Sequence, residues 1–407
     1  MSEQSTTKFQ FGLLPRIIVA ILLGIAFGLV LPDAVVRIFV TFNHVFGQLL
    51  NFVIPLIIVG LIAPAIADLG RGAGKWLAVT AGIAYGSTLT AGLIAFGASM
   101  LVLPRVLDGQ AAESLTNPED ALLAPFFELQ ITPLFGVMSA LVLAFIVGIG
   151  ITAVPGDVMR RGFDEFREII GLVISKMIIP LLPIYIFGIF LNMTRAGQVF
   201  TVITTFLGVI VFVFILTVVV LLLQFSVAGA VAGKNPLRML VTMLPAYMTA
   251  LGTSSSAATI PVTLRQAIKL GVTPAVASFT VPLCATIHLA GSTLKITSFS
   301  IAVMLLFGIP IDPATMIGFV LMLGIMMVAA PGVPGGAIMT AAGLLTSMLG
   351  FTDPQVGLMI ATYIAIDSFG TATNVTGDGA IATVVDRLIS RTSRRDAGRA
   401  QTAEVAA

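Results

Sequence analysis

Four polar side chains near the end of the chain have the types and the spacing of a binding site. They stand at positions i, i+4, i+7 and i+11 within the segment "YIAIDSFGTATNVTGDGAIAT" (363–383), and they are Asp367, Thr371, Asn374 and Asp378. If the segment is a helix, this spacing places all four on one stripe. Carboxylate, amide and hydroxyl oxygens suit a hard cation such as Na⁺, and a carboxylate also accepts a substrate ammonium group.

The two carboxylates of this stripe lie in an unusually apolar chain. Of its 407 residues, 57% are hydrophobic and 10% are charged, whereas soluble domains carry about 25% charged residues. An acid inside a membrane costs at least ~2.5–3.5 kcal/mol and needs a cavity or a counter-charge. The segment 363–383 contains no Lys or Arg. We expect the positive charge to arrive as a bound metal cation or a substrate ammonium. The alternative is that both acids are protonated or paired with basic residues of another helix.

Long apolar runs predict that helices carry these residues through a bilayer, because each run approaches the ~18–20 residues that span its core. The predicted fold class is an all-α polytopic membrane protein with eight transmembrane helices and two re-entrant helical hairpins. The predicted spans are 12–31, 39–67, 76–103, 130–153, 169–193, 199–232, 272–308 and 354–385. The predicted hairpins are 237–268 and 312–349, broken by "LGTSSSAATIP" and "AAPGVPGG".

The distribution of Lys and Arg predicts the orientation of these spans. Basic residues follow the second, fourth and sixth spans and fill the tail, whereas an acidic loop follows the third span. These basic clusters all lie on the cytoplasmic side of the membrane only if each broken segment enters and leaves the membrane by the same face. Both termini are then in the cytoplasm. We expect a multi-pass protein of a prokaryotic cytoplasmic membrane. Paired broken segments point to a transporter's binding site, since exposed backbone at membrane depth must be buried or line a cavity.

The hairpin tips are the next candidates. Three serines (Ser254, Ser255 and Ser256) stand at the first break, where exposed amides would bind a carboxylate; the alternative is a flexible turn or helix caps. The glycines of the second break, "PGVPGG" (331–336), allow close approach to a ligand or act as hinges; the alternative is a structural kink.

The seventh span, "ATIHLAGSTLKIT" (285–297), carries His288, Ser292 and Lys295 about one turn apart. His288 and Lys295 either face the site or are, respectively, a structural histidine and a lysine that reaches the membrane interface. We interpret His44, which has no polar cluster around it, as structural. The one cysteine, Cys284, excludes an internal disulfide and a multi-cysteine metal site.

Four motifs in order, "TSSSAATIPVT", "VPLCATIHLAG", "PGVPGG" and "NVTGDG", resemble the glutamate transporter family, the dicarboxylate/amino acid:cation symporters. The resemblance covers essentially the whole chain. It implies a homotrimer with a scaffold of residues 1–75 and 130–198, and a transport domain of residues 76–103 and 199–391 that moves as an elevator. It also implies an extracellular loop at 104–129 and a disordered cytoplasmic tail at 392–407.

The resemblance implies roles for individual residues. Asn374, with the amides of Ser255 and Ser256, would hold the substrate α-carboxylate, and Asp367 would accept the α-ammonium. A sodium site would consist of Asn374 and Asp378, with backbone carbonyls near Cys284 and His288. Further pocket positions are Ser254, Ser292, Val333, Gly335, Gly370 and Thr371. The extracellular gate would be the second hairpin tip, at Gly332, Pro334 and Gly336.

Departures from the family pattern predict the substrate. Members that carry acidic substrates place an arginine where this chain has Gly370, and losing that bidentate partner favours small neutral amino acids such as serine, threonine or alanine. The alternative is an acidic amino acid or C4-dicarboxylate held by Lys295. The family's "NMDG" reads "HLAG" here, so His288 and Ala290 replace ligands of another sodium site. We expect that site to be lost, or replaced by a proton on His288, with fewer Na⁺ coupled.

The sequence therefore predicts a secondary active, cation-coupled symporter with a small-molecule substrate, in contact with lipid and without a nucleic-acid partner. Two other functional classes share some of these features. Broken segments and carboxylates also suit a channel, but the constellation resembles a binding site for an amino acid. An intramembrane hydrolase would need a base beside the hairpin serines, and none is evident in the sequence. We expect no enzyme activity.

Overall fold

The computed structural model describes residues 13–70, 75–107, 122–197, 199–328, 330 and 335–405, and every regular element within these ranges is a helix. The α-helices are α1 (Leu13–Gly28), α2 (Asp33–Gly70), α3 (Lys75–Leu107), α4 (Val137–Ala153), α5 (Val158–Val173), α6 (Ile179–Arg195), α7 (Val199–Ala232), α8 (Pro236–Thr253), α9 (Ser256–Lys269), α10 (Pro274–Ile287), α11 (Ala290–Leu306), α12 (Pro313–Val328), α13 (Gly336–Leu349), α14 (Asp353–Ala365) and α15 (Asp367–Val405). A short π-helix, Ile174–Ile178, connects α5 to α6.

Several of these helices are long and apolar enough to cross a membrane. In the described part of the chain there are five such segments, and a sixth if α14 and α15 form one span bent by 62°. The predicted first and fourth spans are shorter helices of 16 and 17 residues. The structure thus has the helices of a polytopic membrane protein, while the count of eight spans and the orientation of the termini remain predictions.

Both segments predicted to break in the middle fold as two helices that pack on each other, α8 with α9 and α12 with α13. At the first break, Ser254 adopts a left-handed conformation (φ +48°), which ends α8. The hydroxyl of Ser255 then accepts a hydrogen bond from the Ala258 N–H at 3.3 Å and caps α9. The second break includes residues outside the described ranges and ends at Gly335, whose φ of +76° suits glycine.

Two further helix breaks occur where the sequence predicted continuous spans. The seventh span is interrupted at His288 and Leu289, between α10 and α11, and the eighth is interrupted at Ile366, between α14 and α15. Neither break contains glycine or proline. Each break frees backbone groups that a continuous helix would pair, and the side chains around them, described below, use those groups.

The helices pack in two groups. Helices α1, α2, α4, α5 and α6 contact mainly one another, and α3 belongs to a second group with α7–α15. The groups meet where α14 contacts α1 and α6 and where α12 and α13 contact α2. Relative movement of the two groups stays a prediction. The final helix continues to Val405, which corrects the expected disordered tail at 392–407; its Arg- and Ala-rich sequence has high helix propensity.

Candidate functional site

Most of the predicted substrate residues line one small cavity. Its volume is about 30 Å³, roughly the share of one water molecule and far below the ~300–1,000 Å³ of ligand pockets. The described residues around it are Ser254, Ser256, Ala285, Leu289, Ser292, Ala330, Ala337, Tyr363, Asp367, Thr371 and Asn374. The stripe of α15, both hairpins and the seventh span therefore meet at one point, in a closed conformation.

Asn374 is fixed by the helix break of the seventh span. Its Oδ1 accepts the N–H of Gly291 at 2.8 Å, and its Nδ2 donates to Ser292 Oγ at 3.2 Å. The Tyr363 hydroxyl also donates to Ser292 Oγ, at 2.9 Å. Because Gly291 lies in the first turn of α11, Asn374 satisfies one of the N–H groups that the break leaves without a helical partner.

Asp367, the first residue of α15, has a partner on each carboxylate oxygen. Lys295 Nζ lies 3.6 Å from Oδ1, and the N–H of Gly335, at the second hairpin tip, donates to Oδ2 at 2.8 Å. The side chains of Lys295 and Asp367 are almost fully buried, at 1% and 10% exposure. The position predicted to receive a substrate ammonium is thus held by a lysine and by the hairpin.

Lys295 does not line the cavity, because its ammonium group lies at the break between α14 and α15. It donates to the carbonyl oxygens of Ile366 at 3.2 Å and Asp367 at 3.5 Å, and it lies 3.9 Å from the centre of the Tyr363 ring. A Cβ added to Gly370 would overlap the Cε and Nζ atoms of Lys295. Lys295 therefore fills the space that an arginine at position 370 would need.

The second acid of the stripe, Asp378, belongs to a separate buried cluster. Its Oδ1 lies 2.9 Å from His288 Nδ1. On the other side of the imidazole ring, His288 Nε2 lies 3.1 Å from Ser87 Oγ, and Gln224 Nε2 donates to Ser87 Oγ at 2.9 Å. His288 and Asp378 are each 1% exposed. This cluster joins α3, α7, α15 and the break between α10 and α11.

Each acid has a partner within the protein, Lys295 for Asp367 and His288 for Asp378. Lys295 is a counter-charge, which is the alternative arrangement for Asp367, whereas a neutral His288 would leave the charge of Asp378 unbalanced. The expectation that a cation arrives from outside therefore stays a prediction. Both partners come from the predicted seventh span, His288 at its break and Lys295 beyond it. Sequence spacing could not show which way these side chains point around their helix.

The other predicted site residues are placed as follows. Ser254 and Ser256 line the cavity, whereas the Ser255 hydroxyl caps α9. The Cys284 carbonyl accepts the backbone N–H of His288 at 2.9 Å. Gly336 is the first residue of α13. The predictions for Gly332, Val333 and Pro334 lie outside the described residues.

Sequence reasoning missed three members of these clusters. Tyr363 lies four residues before Asp367, on the other side of the break between α14 and α15. Gln224 had a usable signal, because it is the one side-chain amide in the 34-residue apolar helix α7, and a polar side chain at membrane depth marks a functional candidate. Ser87 had no such signal, since several Ser and Thr residues surround it in the sequence.

A larger cavity lies elsewhere. It measures about 370 Å³ and lies between α2, α6, residues 122–125 and the start of α14. His44 is on its wall and accepts the N–H of Leu129 at 3.2 Å. None of the stripe residues lines this cavity, so its size alone does not make it the substrate site.

The chain is similar to known proteins over nearly its whole length. The sequence profile of the sodium:dicarboxylate symporter family matches residues 13–388. The serine/threonine transporter SstT of Acinetobacter baumannii (strain AYE) is 28% identical over 402 residues, which cover 93% of this chain and 97% of that relative. A protein of the same name from Streptococcus suis (strain 05ZYH33) is 26% identical over 339 residues, which cover 81% and 93% of the two chains.

Proposed function

This chain belongs to the sodium:dicarboxylate symporter family, and from that premise we propose that it is a secondary active symporter of a small neutral amino acid. Serine, threonine and alanine are the first candidates. The relatives named as serine/threonine transporters span nearly the whole chain, and they support transport rather than enzyme activity. Sodium, named in the family's title, is the proposed coupling cation, with the proton as the alternative.

The observation that carries the neutral substrate is the Lys295–Asp367 pair beside Gly370. Among the described residues around the cavity, two have an ionisable side chain, Asp367 and Tyr363. Lys295 balances the charge of Asp367 from outside the cavity. A zwitterionic amino acid adds no net charge to such a site. A second carboxylate on the substrate side chain would find no unpaired cation among these residues. Such a substrate is disfavoured, because a buried ion without a partner is costly.

The helix ends around the cavity suit the two charged groups of an amino acid. Ser256 and Ala337 line the cavity from the first turns of α9 and α13, where unpaired N–H groups and the helix dipoles attract a carboxylate. We propose that the substrate carboxylate lies against these ends and near Asn374. The substrate ammonium would reach Asp367 when the Gly335 N–H leaves it.

The closed cavity also supports a proposal for the gate. A volume of about 30 Å³ cannot hold an amino acid, so binding requires a wall to move. We propose that the second hairpin is that wall and that opening it breaks the 2.8 Å Gly335–Asp367 hydrogen bond. An elevator movement, a homotrimer and cytoplasmic termini are proposed from the family.

The acidic-substrate alternative would require Lys295 to leave its present partners. Its ammonium contacts Asp367, the carbonyl of Ile366 and the ring of Tyr363. These contacts use the hydrogen-bonding capacity of an ammonium, which has three donors. Neutral substrates need no such rearrangement.

Uptake of radiolabelled serine into proteoliposomes under an imposed Na⁺ gradient tests this function. We expect saturable uptake that requires Na⁺, and competition by threonine and alanine but not by aspartate or succinate. Uptake confined to aspartate or C4-dicarboxylates would overturn the neutral substrate. Uptake driven by a pH gradient with no dependence on Na⁺ would replace sodium by the proton.

A further inference from the structure

A chain of four side chains crosses the helix bundle beside the substrate cavity. It runs from Gln224 on α7 through Ser87 on α3 and His288 at the α10–α11 break to Asp378 on α15, with successive distances of 2.9, 3.1 and 2.9 Å. All three distances are within hydrogen-bond range. The four residues are far apart in the sequence, so the fold assembles this cluster.

The order of donors and acceptors gives the chain a direction. With Asp378 ionised, its carboxylate only accepts hydrogen bonds, so His288 would donate from Nδ1. A neutral imidazole then accepts at Nε2, from the Ser87 hydroxyl, and the Ser87 oxygen accepts from the Gln224 amide. This order of bonds predicts for His288 the tautomer with its proton on Nδ1.

A glycine next to Asp378 leaves room for this arrangement. A Cβ added to Gly377 would come within 2.6 Å of His288 Cε1 and 2.7 Å of Gln224 Oε1. Such distances are shorter than real Cβ contacts, so the ring or the amide would have to shift. Gly377 stands in the "NVTGDG" motif, and here its missing side chain admits both the histidine and the glutamine.

The same hydrogen bonds use one acceptor site on each of the oxygens that were expected to hold sodium. Asp378 Oδ1 accepts from His288, Asn374 Oδ1 accepts from Gly291, and the Cys284 carbonyl accepts from the backbone of His288. A sodium ion needs several oxygens directed at it. At Asp378 Oδ1, a sodium ion would have to compete with the His288 ring for the same oxygen.

We propose that Ser87 and Gln224 are positioning residues that hold His288 against Asp378, and that the imidazole N–H takes the place of a sodium contact at that carboxylate. The inference rests on the proposed function, since it concerns which cations the symporter uses. Sodium coupling then runs through other oxygens of the protein, and substrate is carried with fewer sodium ions than an open site at Asp378 would add.

The tautomer is tested by ¹⁵N NMR of histidine-labelled protein in lipid. The chain contains two histidines, so His44→Asn leaves His288 as the one imidazole signal. We expect a neutral ring with its proton on Nδ1, and loss of that single state in Ser87→Ala and in Gln224→Leu. A proton on Nε2, or a doubly protonated ring, would contradict this order of hydrogen-bond donors and acceptors.

The cation claim is tested by comparing half-saturating concentrations of Na⁺ and of serine. Asp378→Asn keeps an oxygen for His288 but removes the charge. We expect its half-saturating Na⁺ concentration to stay within about twofold of wild type, whereas loss of a cation site should raise it about tenfold or more. A rise of about tenfold in the half-saturating Na⁺ concentration of Asp378→Asn, with the KM for serine unchanged, would refute the proposal. A melting curve with and without Na⁺ provides the same comparison without transport.

Two controls separate this inference from the proposed function. Thr90 lines the same 260 Å³ cleft as Ser87 and Gln224, is exposed, and bonds to its own helix, so Thr90→Val should match wild type in both measurements. If wild-type protein takes up no neutral amino acid, or ignores Na⁺, the proposed function fails. The NMR result still decides whether Ser87 and Gln224 position His288.

Discussion

Asp367 and Asp378 lie on the same stripe of α15, about 16 Å apart along the helix, yet their surroundings differ. Asp367 touches the cavity, and one of its partners is the backbone N–H of Gly335 on a hairpin tip. Asp378 is 1% exposed and is held by a side chain that two further helices fix in turn. The comparison teaches that residue type and stripe do not define a role. We propose that Asp367 exchanges a partner for a ligand, whereas Asp378 is held in place by His288.

The largest effect is expected from neutralising Asp367. Asp367→Asn removes the proposed ammonium acceptor and leaves Lys295 buried without its counter-ion, which costs roughly 3–5 kcal/mol. We expect serine uptake to fall below detection and the melting temperature to drop. Adding Lys295→Met should recover the melting temperature but not the uptake. Full uptake by the single variant would remove Asp367 from the substrate site.

The next effect comes from restoring the arginine that the acidic-substrate members carry. Gly370→Arg alone should abolish uptake, because its side chain collides with Lys295. The pair Gly370→Arg with Lys295→Ala frees that space and supplies a bidentate cation for a second carboxylate. We expect this pair to bind aspartate more tightly than serine, measured by competition against labelled serine and aspartate. A pair that still prefers serine would show that these two residues do not set the substrate class.

A smaller effect, on thermal stability, is expected from a change beside Asp378. Gly377→Ala crowds His288 and Gln224, and overpacking of this kind costs about 1–3 kcal/mol. Gly86→Ala is the matched control, since nothing lies within 4 Å of its added Cβ on the neighbouring helix α3. Thermal melting should separate the two variants. Equal melting temperatures would mean that the Asp378 cluster is as adaptable as the Asp367 cluster.

The smallest effect is expected from a hydroxyl beside the cavity. Tyr363→Phe keeps the ring against Lys295 but loses the 2.9 Å hydrogen bond to Ser292. One hydrogen bond contributes about 0.5–1.5 kcal/mol, so the KM for serine should rise by about two- to tenfold with kcat little changed. A change in kcat alone would place Tyr363 in the movement of the carrier rather than in substrate binding.

Sequence reasoning predicted the parts of this architecture that depend on local residue types. The stripe from Asp367 to Asp378 lies on one helix, and the serine-rich and glycine-rich breaks divide both hairpins, because spacing and helix-breaking residues act locally. It missed the breaks at His288 and Ile366, which contain no glycine or proline. There the freed groups are satisfied across the fold, by Asn374 and by Lys295.

The partners of the two acids were likewise beyond local reasoning. Lys295 and His288 were both noted in the sequence, but a helix can present such residues to lipid, to a cavity or to a neighbour with the same spacing. Only the packing of α11 against α15 turns Lys295 toward Asp367. Ser87 joins His288 across 201 residues of sequence, and Gln224 joins Ser87 across 137, distances over which spacing carries no information.

The Lys295–Asp367 pair also has an electrical consequence. Moving one unpaired charge through a membrane potential changes the free energy by about 2.3 kcal/mol per 100 mV. A carrier that returned empty with a bare carboxylate at this position would feel that voltage at every cycle. With the lysine travelling beside the acid, the Lys295–Asp367 pair carries no net charge, and we expect the voltage not to act on this pair during the return step.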